Sequence, residues 1–381
     1  MKILVLAPSV ASYGFFEAML KALVHEGWDV HFACSNFNFA GNKQNIPEDI
    51  IIHDISFPRG ANIVKHFAAA KALNKLVEKI KPDLIDVHFS AAMLTAALGM
   101  RSDWPPTLAT IQGLRFPTQQ GFRQRVEQFI ECWSAKRMHN CSVLTQDDFA
   151  ALSSAGVANG SLQQAAGFGC DLERFNRDNI TRSVLEKAQA DVGCLEGDLN
   201  FIFIGRKTAF KGFHKTVQAF FIAQKMVPQM RLIVCGNDDP IHSDGLSAEE
   251  KIKYGQHDRI SDMGWEENVE RLLALSYANV FPSTREGMPV NLMEALAIGV
   301  PVITLNSRGC RDVVQHDVTG MVLDSDEPKT IADAMVLLAQ QPELQSRMSK
   351  AAIDNRESFN RRNFVKERLS VFNSVVKSID H

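Results

Sequence analysis

The chain has 381 residues, 45% of them hydrophobic, and a formal net charge of -3. That length exceeds one ordinary domain and suits two of α/β size, each able to bury a sizeable core. The near-neutral balance argues against a dedicated nucleic-acid binder, which would carry a strongly basic face. In chain order, Ile3–Leu6 is an all-apolar run suited to a central parallel strand. Phe16, Met19, Leu20 and Leu23 then repeat at helical spacing, and Gly27 ends that helix. Val30–Ala33 and Ile50–Ile52 read as the next strands. Ala68–Ile80 reads as a helix closed by Lys81-Pro82, and Leu84–Val87 as another buried strand. Thr107–Ile111 and Ser142–Leu144 complete a first half.

Residues 173–198 are polar and lack a strand pattern, so they read as a linker region with a short helix. A second half restarts at Phe201–Gly205 and continues with strands at Leu232–Cys235, Ile260–Met263, Val280–Pro282, Val302–Leu305 and Met321–Leu323. The tail from Phe359 to Val376 reads as a helix carrying Phe364, Val365, Leu369, Phe372 and Val376. Strand–helix alternation twice over predicts an α/β protein of two Rossmann-like units. The expected bounds are 1–172 for the first domain, 173–198 for the linker, 199–355 for the second domain and 356–381 for the tail.

Seven cysteines (34, 132, 141, 170, 194, 235 and 310) are scattered without a C-x-x-C or clustered His partners. They read as reduced, mostly buried thiols of a cytosolic protein. The start, Met1-Lys2-Ile3-Leu4-Val5-Leu6, passes straight into an amphipathic pattern, which argues against a cleaved signal peptide. No run of about 18 apolar residues exists to span a bilayer. The expected location is cytoplasmic.

The most informative stretch is Arg285-Glu286-Gly287-Met288-Pro289-Val290-Asn291-Leu292-Met293-Glu294. Pro289 suits a first helical position, which puts Glu286 on the loop before a helix and Glu294 on its second turn. The N–H groups of Met288, Val290 and Asn291 would then form an anion site at the helix N-terminus. A carboxylate ahead of such a site implies a ligand with two faces, hydroxyls for Glu286 and a phosphate for the amides. A nucleotide-sugar has both. Gly205-Arg206-Lys207-Thr208-Ala209-Phe210-Lys211-Gly212 follows a buried strand, where ligands of α/β sheets gather. Arg206 offers a planar fork for a diphosphate and Lys211 a point charge. The first unit has no G-x-G-x-x-G after its first strand, which removes the dinucleotide reading. Only Gly14 stands there, either as a turn residue or as a place where backbone approaches a diphosphate.

With these residues in view, Phe281 to Val302 resembles the signature of the retaining GT-B glycosyltransferases of family 4. Glu286 and Glu294 carry the spacing of that family's E-x7-E motif, and Gly299-Val300-Pro301 follows as it does there. Gly205-Arg206 with Lys211-Gly212, Gly167 to Phe175, and Val318-Thr319-Gly320 are further likenesses, so the resemblance spans nearly the whole chain. It is nearest to bacterial enzymes that build surface or lipid-linked oligosaccharides. The resemblance implies two domains facing across a cleft, with the C-terminal helix crossing back to the first.

It also implies roles. Glu286 would hold donor-sugar hydroxyls, with the amides after Gly287 touching sugar and phosphate. Glu294 would take the ribose hydroxyls, and Arg206 and Lys211 the diphosphate. Gly264 and Trp265 would lie at the base pocket, although simple packing also explains a Trp. Such a site needs no metal; Asp147-Asp148 and Asp238-Asp239 are adjacent acids, of the kind that cap helices or line turns.

One position departs from the family. Gln112 stands after Thr107–Ile111 where many members carry a His, and Gln cannot exchange a proton at neutral pH. His88, on the same predicted edge, reads as structural or acceptor-contacting, and Arg115 joins it on the acceptor side. Arg115, Arg123, Arg125, Lys136 and Arg137 gather with Phe116, Phe122, Phe129 and Trp133. They form either a surface for anionic lipid on the inner membrane or an ordinary helix bridged by Glu127 and Glu131. The resulting expectation is a metal-independent retaining transferase with no cofactor. It would move a hexose or N-acetylhexosamine from a UDP-sugar to a saccharide or lipid-linked acceptor, with no nucleic acid among its partners. The alternatives are a nucleotide-sugar epimerase of the same shape and a catalytically silent sugar-nucleotide-binding scaffold.

Overall fold

The computed structural model describes residues 1–35, 46–58, 60, 62–157, 162–240 and 242–377. It divides into two units, Met1–Phe168 with Arg361–His381, and Gly169–Asn360.

The first unit holds seven parallel strands: β1 Lys2–Leu6, β2 Asp29–Cys34, β3 Ile50–Asp54, β4 Leu84–His88, β5 Thr107–Ile111, β6 Asn140–Val143 and β7 Leu162–Gln164. Their order is β3-β2-β1-β4-β5-β6-β7. The inner strands are largely apolar because helices cover both faces of a parallel sheet, with Asp86 and His88 of β4 as buried exceptions. Sequence reasoning missed β7, whose Leu-Gln-Gln has no apolar run and sits at the sheet edge. The helix expected over 68–80 begins earlier, at Ile63, capped by the Asn62 side chain on the Lys65 amide. The final helix, Arg361–Lys377, belongs to this unit and packs on helix Tyr13–His25, with Phe364 and Phe372 buried.

The second unit holds six parallel strands: β8 Leu199–Ile204, β9 Met230–Cys235, β10 Ile260–Gly264, β11 Ala278–Phe281, β12 Val302–Leu305 and β13 Gly320–Leu323. Their order is β10-β9-β8-β11-β12-β13. Within the segment expected as a linker, helix Arg182–Val192 packs against helix Val269–Ala274 and buries Ala188 and Val192 in this unit's core. Six cysteines are buried and Cys194 is half-buried, all as thiols. Among the described residues no helix is long and apolar enough to cross a membrane.

Candidate active site

In the second unit the strand order reverses between β8 and β11, and a doubly wound sheet leaves a crevice there, outside the carboxyl ends of its strands. The loops leaving those two ends are the ones the sequence singled out. Lys211 closes a short turn, Ala209–Lys211, and Gly212 follows with φ +77°. A Cβ at Gly212 would stand 2.2 Å from the carbonyl oxygen of Pro282, so only glycine lets the two loops touch. That contact sets Lys211 Nζ 2.5 Å from Glu286 Oε1, with both side chains mostly buried. Ser283 donates its hydroxyl to the same carboxylate oxygen at 2.7 Å. The Glu286 N–H is held by the Arg308 carbonyl at 3.2 Å. Gly309 lies so close behind that a Cβ would sit 2.5 Å from Gly287 O. Glu286 is thus oriented by its surroundings.

Arg206 and Lys211 were read from sequence as two cations aimed at a phosphate. Each is engaged with a carboxylate: Lys211 with Glu286, and Arg206 with Asp239. The reason is local, since Asp239 is itself fixed by the His242 N–H at 2.9 Å and presents its carboxylate beneath the guanidinium. Donors remain. An ammonium has three hydrogens and Glu286 takes one; a guanidinium has five. Phe210 collects Arg206 at 5.7 Å and Arg285 at 4.8 Å over its ring, which keeps two guanidiniums together.

The helix after Glu286 runs Val290–Ala297. Pro289 is not its first residue but its N-cap, because its ψ of 115° does not continue a helix. Val290 and Asn291 therefore open the helix with N–H groups that have no intrahelical acceptor, while Gly287 and Met288 lie on the approach. The Asn291 side chain donates to the Ile204 carbonyl at 2.8 Å and clips the helix start to the end of β8. Glu294 is half-buried in the second turn.

Gly264 ends β10 with φ +59°, its N–H on Asp262 Oδ1 at 3.1 Å. Asp262 is held in turn by Lys207 at 2.5 Å and the Tyr254 hydroxyl at 2.7 Å. Next to it Trp265 is 75% exposed, which excludes packing as its purpose within the chain. Behind Glu286, the Cys310 thiol is pushed up to about 11 by burial and by the Glu286 charge, so it stays protonated and is no nucleophile. Among the described residues no cluster of three His, Cys, Asp or Glu side chains could hold a metal.

In the first unit the strand order reverses between β1 and β4. Gly14 is the second residue of helix Tyr13–His25, and a Cβ there would meet nothing within 4 Å. The fold therefore does not require glycine for space. His88 ends β4 and is fully buried under the Phe16 ring, 4.2 Å away. A direct contact between His88 and an acceptor is thereby corrected, because its ring has no open surface. The half-buried group beside it is Gln112. Arg115 lies on the next loop, its N–H on Glu131 at 3.1 Å and its guanidinium 3.4 Å from Glu127.

Helix Gly121–Lys136 turns Glu127 and Glu131 inward. Glu131 also accepts the Ser90 hydroxyl at 2.7 Å and the Phe116 N–H at 3.1 Å. Burial raises its pKa, outweighing those hydrogen bonds. Phe122 and Phe129 are 81% and 71% exposed. Glu131 thus serves the interior, Glu127 pairs with Arg115 from outside the helix, and Phe122 and Phe129 face out. Asp262 and Arg368 escaped the sequence reading: no motif marks them, and their partners Lys207 and Asp86 lie far along the chain.

Comparison with known proteins decides the family. The model "Glycosyl transferases group 1" matches residues 186–355, and the model "Glycosyl transferase 4-like" matches residues 2–143. The chain belongs to the family-4-like GT-B glycosyltransferases. One relative is the UDP-Gal:alpha-D-GlcNAc-diphosphoundecaprenol alpha-1,3-galactosyltransferase of Escherichia coli, 22% identical over 73% of this chain and 72% of that protein. Another is the capsular polysaccharide biosynthesis glycosyltransferase CapM of Staphylococcus aureus, 23% identical over 96% of this chain and 95% of that protein. Among solved structures, Anabaena HepE in complex with UDP and glucose superposes with a TM-score of 0.81 at 17% identity, covering 98% of this chain and 100% of that one. Both family models describe glycosyl transferases, which favours transfer over the epimerase and scaffold alternatives.

Proposed function

We propose that this glycosyltransferase moves a hexose or N-acetylhexosamine, with retention and without a metal, from a UDP-sugar to a saccharide or lipid-linked saccharide in bacterial surface-glycan synthesis. The reading rests on one observation above the others: Lys211, Glu286 and the first amides of helix Val290–Ala297 meet at the reversal point of one sheet. Glu286 and Lys211 suit the junction of sugar and diphosphate, Arg206 suits the diphosphate, and the amides after Gly287 suit its oxygens. As the glycosidic bond breaks, charge grows on the departing diphosphate, and preorganised cations favour that state over the bound substrate. Glu294 suits the ribose hydroxyls, and Gly264 with the exposed Trp265 suits the base. Gly14 belongs to the donor reading, as a place where backbone approaches the diphosphate, and Gln112 and Arg115 belong to the acceptor-side reading. The names of the relatives, with UDP-galactose and diphosphoundecaprenol in one and UDP in a solved complex, support donor and acceptor classes alike.

Calorimetry of UDP, GDP and ADP against wild type and Glu294→Ala tests the donor site. One nucleotide, UDP, is expected to bind, about 10-fold to 100-fold more weakly in the variant, the size of lost hydrogen bonds to a charged group. Binding of none of the three would refute the assignment of this segment.

The same reading includes contact with the cytoplasmic face of the inner membrane, through Phe122 and Phe129 beside Arg123 and Arg125. Exposed aromatics next to cations fit an anionic bilayer surface. Vesicles with phosphatidylglycerol are expected to carry the protein on flotation, and Phe122→Ser/Phe129→Ser to leave it behind. Equal flotation of both proteins would exclude this helix as the contact.

A further inference from the structure

We infer that Arg368, Asp86 and His88 are positioning residues that fix the Gln112 amide nitrogen as a hydrogen-bond donor to a sugar oxygen. The inference rests on the proposed transferase reading for its ligand, but the relay itself stands on geometry within the first unit.

The proton positions follow from one fixed donor. The Phe89 N–H, shared with the Thr110 carbonyl at 3.1 Å, can only donate, so the Gln112 atom 2.7 Å from it is Oε1. That places Gln112 Nε2 2.8 Å from His88 Nδ1, where the amide donates and the ring nitrogen accepts. The ring hydrogen then sits on Nε2, 2.8 Å from Asp86 Oδ2. The other Asp86 oxygen takes Arg368 Nη2 at 2.6 Å. Arg368 comes from the last helix, and its side chain and those of Asp86 and His88 are almost wholly buried.

Each link removes a freedom from the next. Turning the Gln112 amide over would set NH2 against the Phe89 N–H and oxygen against a lone pair. Its carbonyl is thus anchored on Phe89 and one amide hydrogen on His88. The second hydrogen has no partner among the described residues, and Gln112 is half-buried at the carboxyl edge of the sheet. A ligand there meets the unpartnered amide hydrogen, and the group that suits it is an oxygen lone pair, as on a sugar hydroxyl or ring. Phe89 itself has φ 68°, a left-handed backbone value for a non-glycine residue, and its bond to Gln112 is one of the contacts that hold it. A buried ion pair with no further task would not need the extension through a ring nitrogen to a carboxamide at the edge.

The experiment uses the full chain. Long-range 1H–15N correlation spectra of the histidines are expected to give His88 as the Nε2–H tautomer. Gln112→Glu keeps the acceptor for Phe89 and removes the donor; kcat is expected to fall about tenfold to a hundredfold, with UDP affinity unchanged. Arg368→Met is expected to lower kcat and mix the His88 tautomers, and Arg368→Lys to recover part of both. Should Arg368→Met fail to fold, the near-isosteric Gln112→Glu carries the test. An Nδ1–H tautomer in wild type, or wild-type kcat in Gln112→Glu, overturns the inference. If the wild type binds UDP but transfers no sugar, the functional reading fails by itself, and the tautomer with its response to Arg368→Lys still decides the relay.

Discussion

Lys211→Ala is expected to lower kcat for sugar transfer by about 10²–10³-fold, which is about 3–4 kcal/mol of transition-state stabilisation. Two effects point the same way. The diphosphate loses a cation where its charge grows. Glu286, with an 11% exposed side chain, also loses its counter-charge at 2.5 Å and faces an anionic substrate alone. Glu286→Gln removes the second effect and keeps a hydrogen-bonding group for Ser283 and for a sugar hydroxyl. The double variant Lys211→Ala/Glu286→Gln is therefore expected to be more active than Lys211→Ala alone, because groups in contact do not contribute additively. The check is kcat/KM for the four proteins with one UDP-sugar and one acceptor. Losses that simply add would make the contact a bystander and assign the two residues independent roles.

The sequence carried the parts of this site that are local. Apolar runs marked nearly every inner strand, because a parallel sheet covered on both faces disfavours polar residues at its centre. Glu286 and Glu294 announced themselves by spacing around a loop and a helix start. What stayed hidden depends on partners far along the chain. Nothing near Arg206 predicts that Asp239 will hold it, and nothing near Glu286 predicts the backs of Arg308 and Gly309. Pro289 illustrates a finer limit. A fixed φ near −65° fits an N-cap and a first helical residue equally well, and only ψ separates them. The edge strand β7 was illegible for the opposite reason to the inner ones, since a polar Leu-Gln-Gln at an edge has no pattern to betray it. His88 was legible as the end of a strand, but its burial is set by Phe16 and by Asp86, whose charge is met 282 residues later by Arg368.

That last pairing yields the largest expected effect on stability. Arg368→Met is expected to destabilise the protein by about 3–5 kcal/mol, because it leaves the wholly buried Asp86 carboxylate with only the His88 N–H. The pH dependence separates this cause from lost packing. Burial works against ionisation of Asp86, but Arg368 and His88 together outweigh it and hold the carboxyl below its ordinary range. A folded-state value lower than the unfolded one means that the unfolded chain binds more protons. The pair's contribution is then complete above the unfolded carboxylate value of about 3.9 and is lost as pH falls through the folded one. In Arg368→Met the sign reverses. Burial without a cation raises the Asp86 pKa, so acidification neutralises the stranded charge and relieves the penalty. Urea unfolding of both proteins from pH 7 to pH 4 is expected to show a stability gap that is widest near neutrality and narrows toward acid. A gap independent of pH would trace the loss to the missing contact of Arg368 with the Phe372 ring, 4.8 Å away, rather than to charge.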